Sequence, residues 1–250
     1  MRVLKVELEG TTTSFRYPHF LVGRQPSMPL PPPATIYGHI ASALGEFPDP
    51  AELQFGYCFT YAGRSDDLET QHIVSVSTGK IDKKWGYIKN LEGSINPSNR
   101  EVLLFPKLTL YIKSDNLDFY EARFRQPRYA VVLGRSQDLA TYTGVTQIDL
   151  VESVSGYFEG TLLSNSFRKE RTNAGSLMQM PRFINPENRQ EVDWEMYLVI
   201  EKPVFTSDAP NDKRSSQKVW SGDISFLVDP DAGLVKKNQS RIVTFHSFMG

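Results

Sequence analysis

The chain has 250 residues, 40% hydrophobic and 23% charged, with a formal net charge of −1. This is the profile of a globular protein long enough for one large domain, or a domain with a small appendage, and for a real core. With Cys58 as the single cysteine, no intramolecular disulfide is possible; no apolar run approaches the roughly 20 residues of a membrane helix, and Met1–Gly10 has no signal-peptide core, so a soluble, unprocessed, cytoplasmic chain is expected.

Val3–Glu9 alternates apolar and charged residues and predicts a first strand. Gly10–Pro33 carries prolines 18, 26, 29, 31, 32 and 33 and predicts irregular chain, because proline fixes φ and donates no N–H. Ala34–Leu44 predicts a helix. Pro33 suits its first turn, Ile36, Ile40 and Ala43/Leu44 form one apolar stripe, and Gly45 with Pro48 ends it. Leu53–Ala62 reads as an aromatic-rich second strand, with Cys58 as a small buried hydrophobe. His72–Ser77 and Trp85–Ile88 predict an inserted hairpin over about residues 71–101, with Asn96–Asn99 as a turn. Val102–Ile112 predicts a long strand in which Pro106 marks an edge or a bulge. Ser114 or Asp115 is expected to cap a helix running to about Arg125, with Leu117, Tyr120 and Phe124 on one face. Arg128–Leu133 and Val145–Ser155 predict two further strands. Beyond residue 158, Trp194–Glu201, Val219–Val228 and Arg241–His246 read as strands and Asp208–Ser216 as a polar loop.

The order β-α-β-(hairpin)-β-α-β predicts an α+β chain. Residues 1–157 would form a ferredoxin-like, RNA-recognition-like β-α-β-β-α-β core with the hairpin inserted. Residues 158–250 would form a β-rich C-terminal extension or small second domain.

Charge is segregated. Gly10–Gly45 has no Asp or Glu, and Ala122–Gln137 carries Arg123, Arg125, Arg128 and Arg135 without an acid. Acids gather at Glu46/Asp49/Glu52, at Asp66/Asp67/Glu69 and at Glu187/Glu191/Asp193/Glu195. A near-neutral chain of this kind can offer one basic face to a polyanion; the competing reading is arginines scattered over a solvated surface. Ser14-Phe15-Arg16-Tyr17-Pro18 sets an arginine between two aromatics, with Arg24 in the same acid-free stretch and Tyr37 on the first helix. Aromatic faces stack on unpaired bases and arginine pairs with phosphate, unless Phe15 fills the core and Arg16 is merely solvated. Gly134-Arg135-Ser136 follows an apolar segment. Glycine allows close approach, exposed N–H groups form an anion nest and arginine adds a bidentate donor; the alternative is an ordinary turn. Arg123, Arg125 and Arg128 either contact RNA or complement the helix dipole. Lys80, Lys83, Lys84 and Lys89, with Trp85 and Tyr87, put point charges and rings on the hairpin, for phosphate contact or for solvation alone. Arg168, Lys169 and Arg171 form a third basic patch. Histidines 19, 39, 72 and 246 are far apart, and there is no Cys-x-x-Cys, His-Glu-x-x-His or Gly-rich phosphate loop, so neither a metal nor a cofactor is expected.

Three segments resemble the CRISPR-associated protein family five, in that family's order and at similar spacing: Ser14-Phe-Arg-Tyr-Pro18, Pro29-Leu-Pro-Pro-Pro-Ala-Thr-Ile-Tyr-Gly38 and Leu133-Gly-Arg-Ser-Gln-Asp-Leu139. The resemblance covers roughly the first 150 residues, and its cast is most like the type I-B branch. It implies a prokaryotic member of the repeat-associated RNA-binding superfamily, built on ferredoxin-like domains. Such a subunit of the Cascade complex grips the 5′ handle of the guide RNA, caps the filament of backbone subunits and touches the large subunit. The inserted hairpin would then be a thumb that separates and kinks the RNA. One branch of the family cleaves guide precursors, but its Tyr/Lys-His pattern has no match here. Tyr37 and His39, two apart on a helix, diverge by about 200°. The expectation is therefore a non-catalytic RNA-binding subunit. A metal-independent guide-precursor endoribonuclease is the alternative, and a protein-interaction module without RNA contact is a third reading.

Overall fold

The computed structural model describes residues 1–20, 23–76, 78–88, 91–208, 218–222, 224–234 and 239–249. Its first part runs β1 (Arg2–Gly10), β2 (Thr12–Thr13), α1 (Pro33–Leu44), β3 (Gln54–Thr60), β4 (Gly63–Val76), β5 (Leu91–Leu104), β6 (Lys107–Lys113), α2 (Leu117–Arg125) and β7 (Ala140–Asp149). The rest is almost all strand: β8 (Val151–Ser153), β9 (Tyr157–Phe158), β10 (Thr161–Ser164), α3 (Asn165–Glu170), β11 (Ser176–Ile184), β12 (Val192–Ile200), β13 (Val204–Ser207), β14 (Lys218–Trp220), β15 (Phe226–Leu234), β16 (Gln239–Ile242) and β17 (His246–Ser247). The molecule is α+β and strand-rich.

The central sheet has the order β17-β3-β6-β1-β7, with every neighbouring pair antiparallel. In the chain α1 lies between β1 and β3, and α2 lies between β6 and β7. In the sheet each of these strand pairs is separated by a third strand. Alternation along β1 sends Leu4, Val6 and Leu8 into the main core with Ile36 and Ile40 of α1 and Tyr120 and Phe124 of α2. Val3 points the other way, into a small cluster with Tyr111, Leu150 and Val243. α1 starts on Pro33 and stops because Gly45 takes the left-handed conformation (φ 88°), which returns its N–H to the Ala41 carbonyl at 2.8 Å. The cap of α2 is Asn116 rather than Ser114 or Asp115: its side chain accepts the Phe119 N–H at 3.2 Å.

The chain beyond residue 157 completes this core. Leu162, Met180, Tyr197, Val199 and Phe248 are buried in it, and His246 pairs with Phe55 as β17 joins the sheet edge. The Phe59 N–H donates to the Gly160 carbonyl at 2.7 Å. On the other face Lys5 of β1 is ion-paired with fully buried Asp229 of β15 at 2.8 Å, and the Tyr111 hydroxyl donates to the same carboxylate at 2.8 Å. Burial would raise the Asp229 carboxyl, but Lys5 and Tyr111 together hold it below its ordinary value.

β4 and β5 form the inserted hairpin, longer at its root than periodicity suggests and paired without a break from Gly63↔Leu104 to Val76↔Leu91. β2 adds a third strand only at Leu103 and Leu104. Asn96–Asn99 is part of β5, not a turn. Pro97 fits there because that side of β5 has no ladder at this point, so its missing N–H costs no bond. Val102–Ile112 is broken into β5 and β6 at Phe105-Pro106, where Phe105 takes φ 51°. Trp85–Ile88 is not a strand. The Asp82 carboxylate accepts the Lys84 and Trp85 N–H groups at 2.8 and 3.1 Å and winds the chain into a turn, and only Ile88 bridges, to Ile81. Arg128–Leu133 is irregular apart from a bridge between Val132 and Leu139, and the strand begins at Ala140. Val145–Ser155 splits between β7 and β8, and Val219–Val228 between β14 and β15. The polar loop expected over Asp208–Ser216 lies, after Asp208, outside the described residues.

Candidate nucleic-acid interface

The root of the hairpin gathers most of the sequence-predicted residues. Phe15 is not a free ring: it is buried in the main core and meets Phe59 edge-on at 5.4 Å. Arg16 is exposed, its backbone bridged to Ser27, and it makes no ion pair among the described residues. Tyr17 is half-buried against the core, with its hydroxyl donating to Met178 Sδ at 3.5 Å; burial raises its phenol. Arg24 is exposed but engaged, pairing with Asp66 at 3.0 Å and Glu101 at 3.1 Å. Arg64, which the sequence reading passed over, pairs with the same Glu101 and lies over the Tyr61 ring.

The Gly134-Arg135-Ser136 turn does bind an anion, and the anion is the chain's own. Asp138, whose side chain is fully buried, accepts the Arg135 N–H at 3.1 Å and the Arg135 Nε–H and Nη2–H at 2.9 Å each. The Thr12 hydroxyl donates to Asp138 at 2.8 Å, and Arg135 Nη1 reaches Asp67 at 3.0 Å and Glu69 at 3.6 Å. With 11% of its side chain exposed, Arg135 is a structural cation rather than a waiting phosphate donor, and its guanidinium is held charged first by the Asp138 bonds. Gly134 (φ 94°) is required because a Cβ there would lie 2.5 Å from Thr13 Oγ1 and 2.8 Å from the Ser14 carbonyl. Ser136 is exposed. The acids that looked remote from the arginines in sequence, Asp66, Asp67 and Glu69, sit on β4 directly against them.

The other predicted arginines have partners elsewhere. Arg123 is exposed and lies over the Phe119 ring at 5.2 Å. Arg125 pairs with Glu121 at 2.8 Å and donates to the Val145 carbonyl. Exposed Arg128 donates its N–H to the Ala43 carbonyl at 2.9 Å, and its side chain covers Gly45. Tyr37 is buried among Phe47, Phe183 and Phe248, and its hydroxyl donates to the Pro48 carbonyl. His39 is also buried. Its Nδ1–H donates to the Val132 carbonyl at 3.0 Å, while its Nε2 accepts from the Tyr142 hydroxyl at 2.9 Å. Burial lowers its imidazole to about 4, so the ring is neutral.

At the hairpin tip Lys80, Lys83, Lys84 and Trp85 are exposed, with the Lys84 ammonium 4.9 Å from the Trp85 ring centre; Lys89 lies outside the described residues. Along the ribbon Leu68, Val74, Val76 and Ile95 share one face and are all exposed. In the third patch Arg168 and Arg171 donate to main-chain carbonyls around residues 173–175 and 220–221. Among the described residues no group of three His, Cys, Asp or Glu is placed to hold a metal, and no helix is long and apolar enough to cross a membrane.

The sequence reading gave no stacking role to two exposed rings, His19 and Phe20, which meet Tyr17 in tilted and edge-on contacts. The usable signal was an aromatic inside a proline-rich stretch with no strand or helix period to bury it.

Fold and surface together define a strand-rich α+β protein with arginines clustered at the root of a projecting two-stranded arm. No protein-family model matches the sequence, and no curated protein matches it. Among solved structures, a chain of a CRISPR RNA-guided surveillance complex is similar at TM-score 0.51 and 14% identity, covering 81% of this chain and 89% of that one. A chain of the type III-B Cmr-beta assembly bound to cognate target RNA and AMPPnP aligns at TM-score 0.48 and 14% identity over 97% and 99% of the two chains. A CRISPR protein from Archaeoglobus fulgidus aligns at 0.44 and 10% over 99% and 100%. The first of these likenesses is one of shared fold.

Proposed function

We propose that this chain is a guide-RNA-binding subunit of a CRISPR effector complex, in the manner of the CRISPR-associated protein family five and its type I-B branch. In this reading it holds the 5′ handle of the guide RNA, caps the backbone filament, contacts the large subunit and has no catalytic centre of its own. The observation that carries the reading is the fold likeness to a chain of an RNA-guided surveillance complex over most of both chains. Two features support it. The sheet order β7-β1-β6-β3, with a helix crossing over a third strand on each side, reads as ferredoxin-like. The arm of β4 and β5 stands where the family's thumb would be inserted. We assign RNA contact to exposed cations that pair with no carboxylate among the described residues: Arg16, Arg123, Arg128, Lys80, Lys83 and Lys84, with Trp85 as a stacking ring. Arg24, Arg125 and Arg135 shape the surface through their carboxylate partners. Binding rather than cleavage is favoured because Tyr37 and His39, the nearest candidates for acid and base, are buried with their polar atoms bonded inside the protein.

The test is a titration of purified protein with a guide repeat fragment carrying the 5′ handle, alongside incubation with a complete repeat, with and without divalent metal. Salt-sensitive binding and uncut RNA are the expected results. Absence of binding overturns the reading, and a single cut site lost in Tyr37→Phe or His39→Ala replaces it with the nuclease.

A further inference from the structure

Two aromatic rings in the proline-rich segment, His19 and Phe20, stand outside ordinary core packing, beside half-buried Tyr17. His19 and Phe20 are exposed, Phe20 by 43%, and neither joins a buried cluster. Their ring centres lie 5.5 Å apart, and each meets Tyr17, at 5.9 and 5.8 Å. An exposed pair of rings would ordinarily be a solubility liability with no packing benefit. This one is also held in place. Tyr17 is anchored in the main core and on Met178, the Phe20 N–H returns to the Tyr17 carbonyl at 3.4 Å, and the chain before it is pinned by the Arg16–Ser27 bridge and by the Met28 N–H on the Phe15 carbonyl at 2.8 Å. The rings are thus presented by a supported turn.

The charge around the trio narrows what it can meet. Exposed Arg16 is the immediate neighbour, and no carboxylate occurs in residues 10–45. The carboxylates that bear on Tyr17, Glu101 and Glu201, are paired with Arg24 and Arg64. Exposed rings next in the chain to an unpaired arginine suit a ligand that is a flat π-system joined through a sugar to a negatively charged backbone.

We propose that Phe20 and His19 form a stacking platform for one unpaired base of single-stranded RNA, with Arg16 neutralising an adjacent phosphate. This rests on the RNA-binding reading above and places its base contact on rings outside the residues first singled out there. Stacking is sequence-tolerant, since every base has a π-face, so the platform sets register on the strand rather than choosing its sequence.

The experiment is a fluorescence-anisotropy titration of the full chain with a single-stranded repeat RNA, intact or with an abasic nucleotide moved along it one position at a time. Phe20→Ala and His19→Ala are expected to weaken binding of intact RNA roughly five- to hundred-fold, with the slope of log affinity against log salt unchanged. Phe20→Trp is expected to restore it. Arg16→Ala is expected to lower that slope by about one unit. At one abasic position the penalty for Phe20→Ala should vanish, because the base it stacks on is gone. If wild-type chain binds but Phe20→Ala and His19→Ala bind equally well, the platform is overturned and the RNA-binding reading stands. If the penalty persists at every abasic position, the rings act through the fold or a protein surface, and stacking is again overturned. If wild-type chain does not bind, both fall. Both side chains lie outside the buried clusters, so thermal unfolding of the variants should match wild type.

Discussion

Arg135 neutralises three carboxylates, and they are not equivalent. The Asp138 side chain is fully buried and that of Asp67 is 51% exposed. Removing the guanidinium leaves Asp138 as a buried charge with only the Thr12 hydroxyl and one backbone N–H. Arg135→Ala should therefore cost about 3–5 kcal/mol, read as a lower urea midpoint. Asp67→Asn, in contact with solvent, should cost about 1 kcal/mol or less in the same assay. Equal effects would mean that the turn is not organised around Asp138. His39 makes a different kind of prediction. Its folded value is about 4 against an ordinary 6.5, because burial opposes the charge more than the Val132 carbonyl favours it. Between those values the unfolded chain binds more protons than the folded one, so stability falls as pH drops from about 6.5 toward 4, by on the order of 3 kcal/mol. Urea unfolding across that window should show the loss in wild type and a flatter profile in His39→Gln. Phe15 and Tyr37 carry the lesson of this scale. Both are aromatics in plausible binding segments, and both are consumed by packing, which a one-dimensional pattern does not reveal.

The arm of β4 and β5 buries little of itself. Beyond its root its side chains are largely exposed, and Ile81, Trp85, Tyr87 and Ile88 at the tip are all more than half exposed. A two-stranded ribbon of this kind depends on its anchored end for stability. That end is held by Arg24, Arg64 and Arg135 on Asp66, Glu101, Asp67 and Glu69. Replacing residues 79–88 with an Asn-Gly turn should leave the thermal midpoint within about 1 °C of wild type, since no core contact is lost. It should also weaken RNA binding and its salt dependence, because Lys80, Lys83 and Lys84 go with the tip. A shortened chain that binds as before would make the tip's lysines a solvated surface. The hairpin was legible from the alternation of His72–Ser77. Its root was not, because Arg64-Ser-Asp-Asp-Leu-Glu69 is polar at nearly every position and is held by ion pairs and ladder bonds rather than by apolar contacts.

Across the whole molecule, the main core spans chain segments far apart in sequence. Phe248, fully buried near the C-terminus, stacks on Phe55 at 4.5 Å and meets Tyr37 at 5.1 Å, so the last strand closes a core begun by the first. Phe248→Ala should cost about 3–5 kcal/mol, and the unfolding transition should shift as a whole without splitting in two. A separate early transition would mean that residues 158–250 unfold on their own.

The sequence by itself determined the first strand, the first helix and the strand after it, and the existence of the inserted hairpin. The helix from Pro33 to Leu44, the strands β1 and β3 and the burial of Cys58 follow from local dihedral limits and from apolar spacing, which act within a few residues. Only the tertiary structure decided which charges meet. Asp67 and Arg135 are 68 positions apart, and their 3.0 Å contact exists because β2 pairs with β5 while the Gly134 turn packs on Thr13 and Ser14. Segregated charge in a sequence records composition along the chain. A Coulomb interaction acts through space, and its partners are chosen by strand register and packing after the backbone has closed.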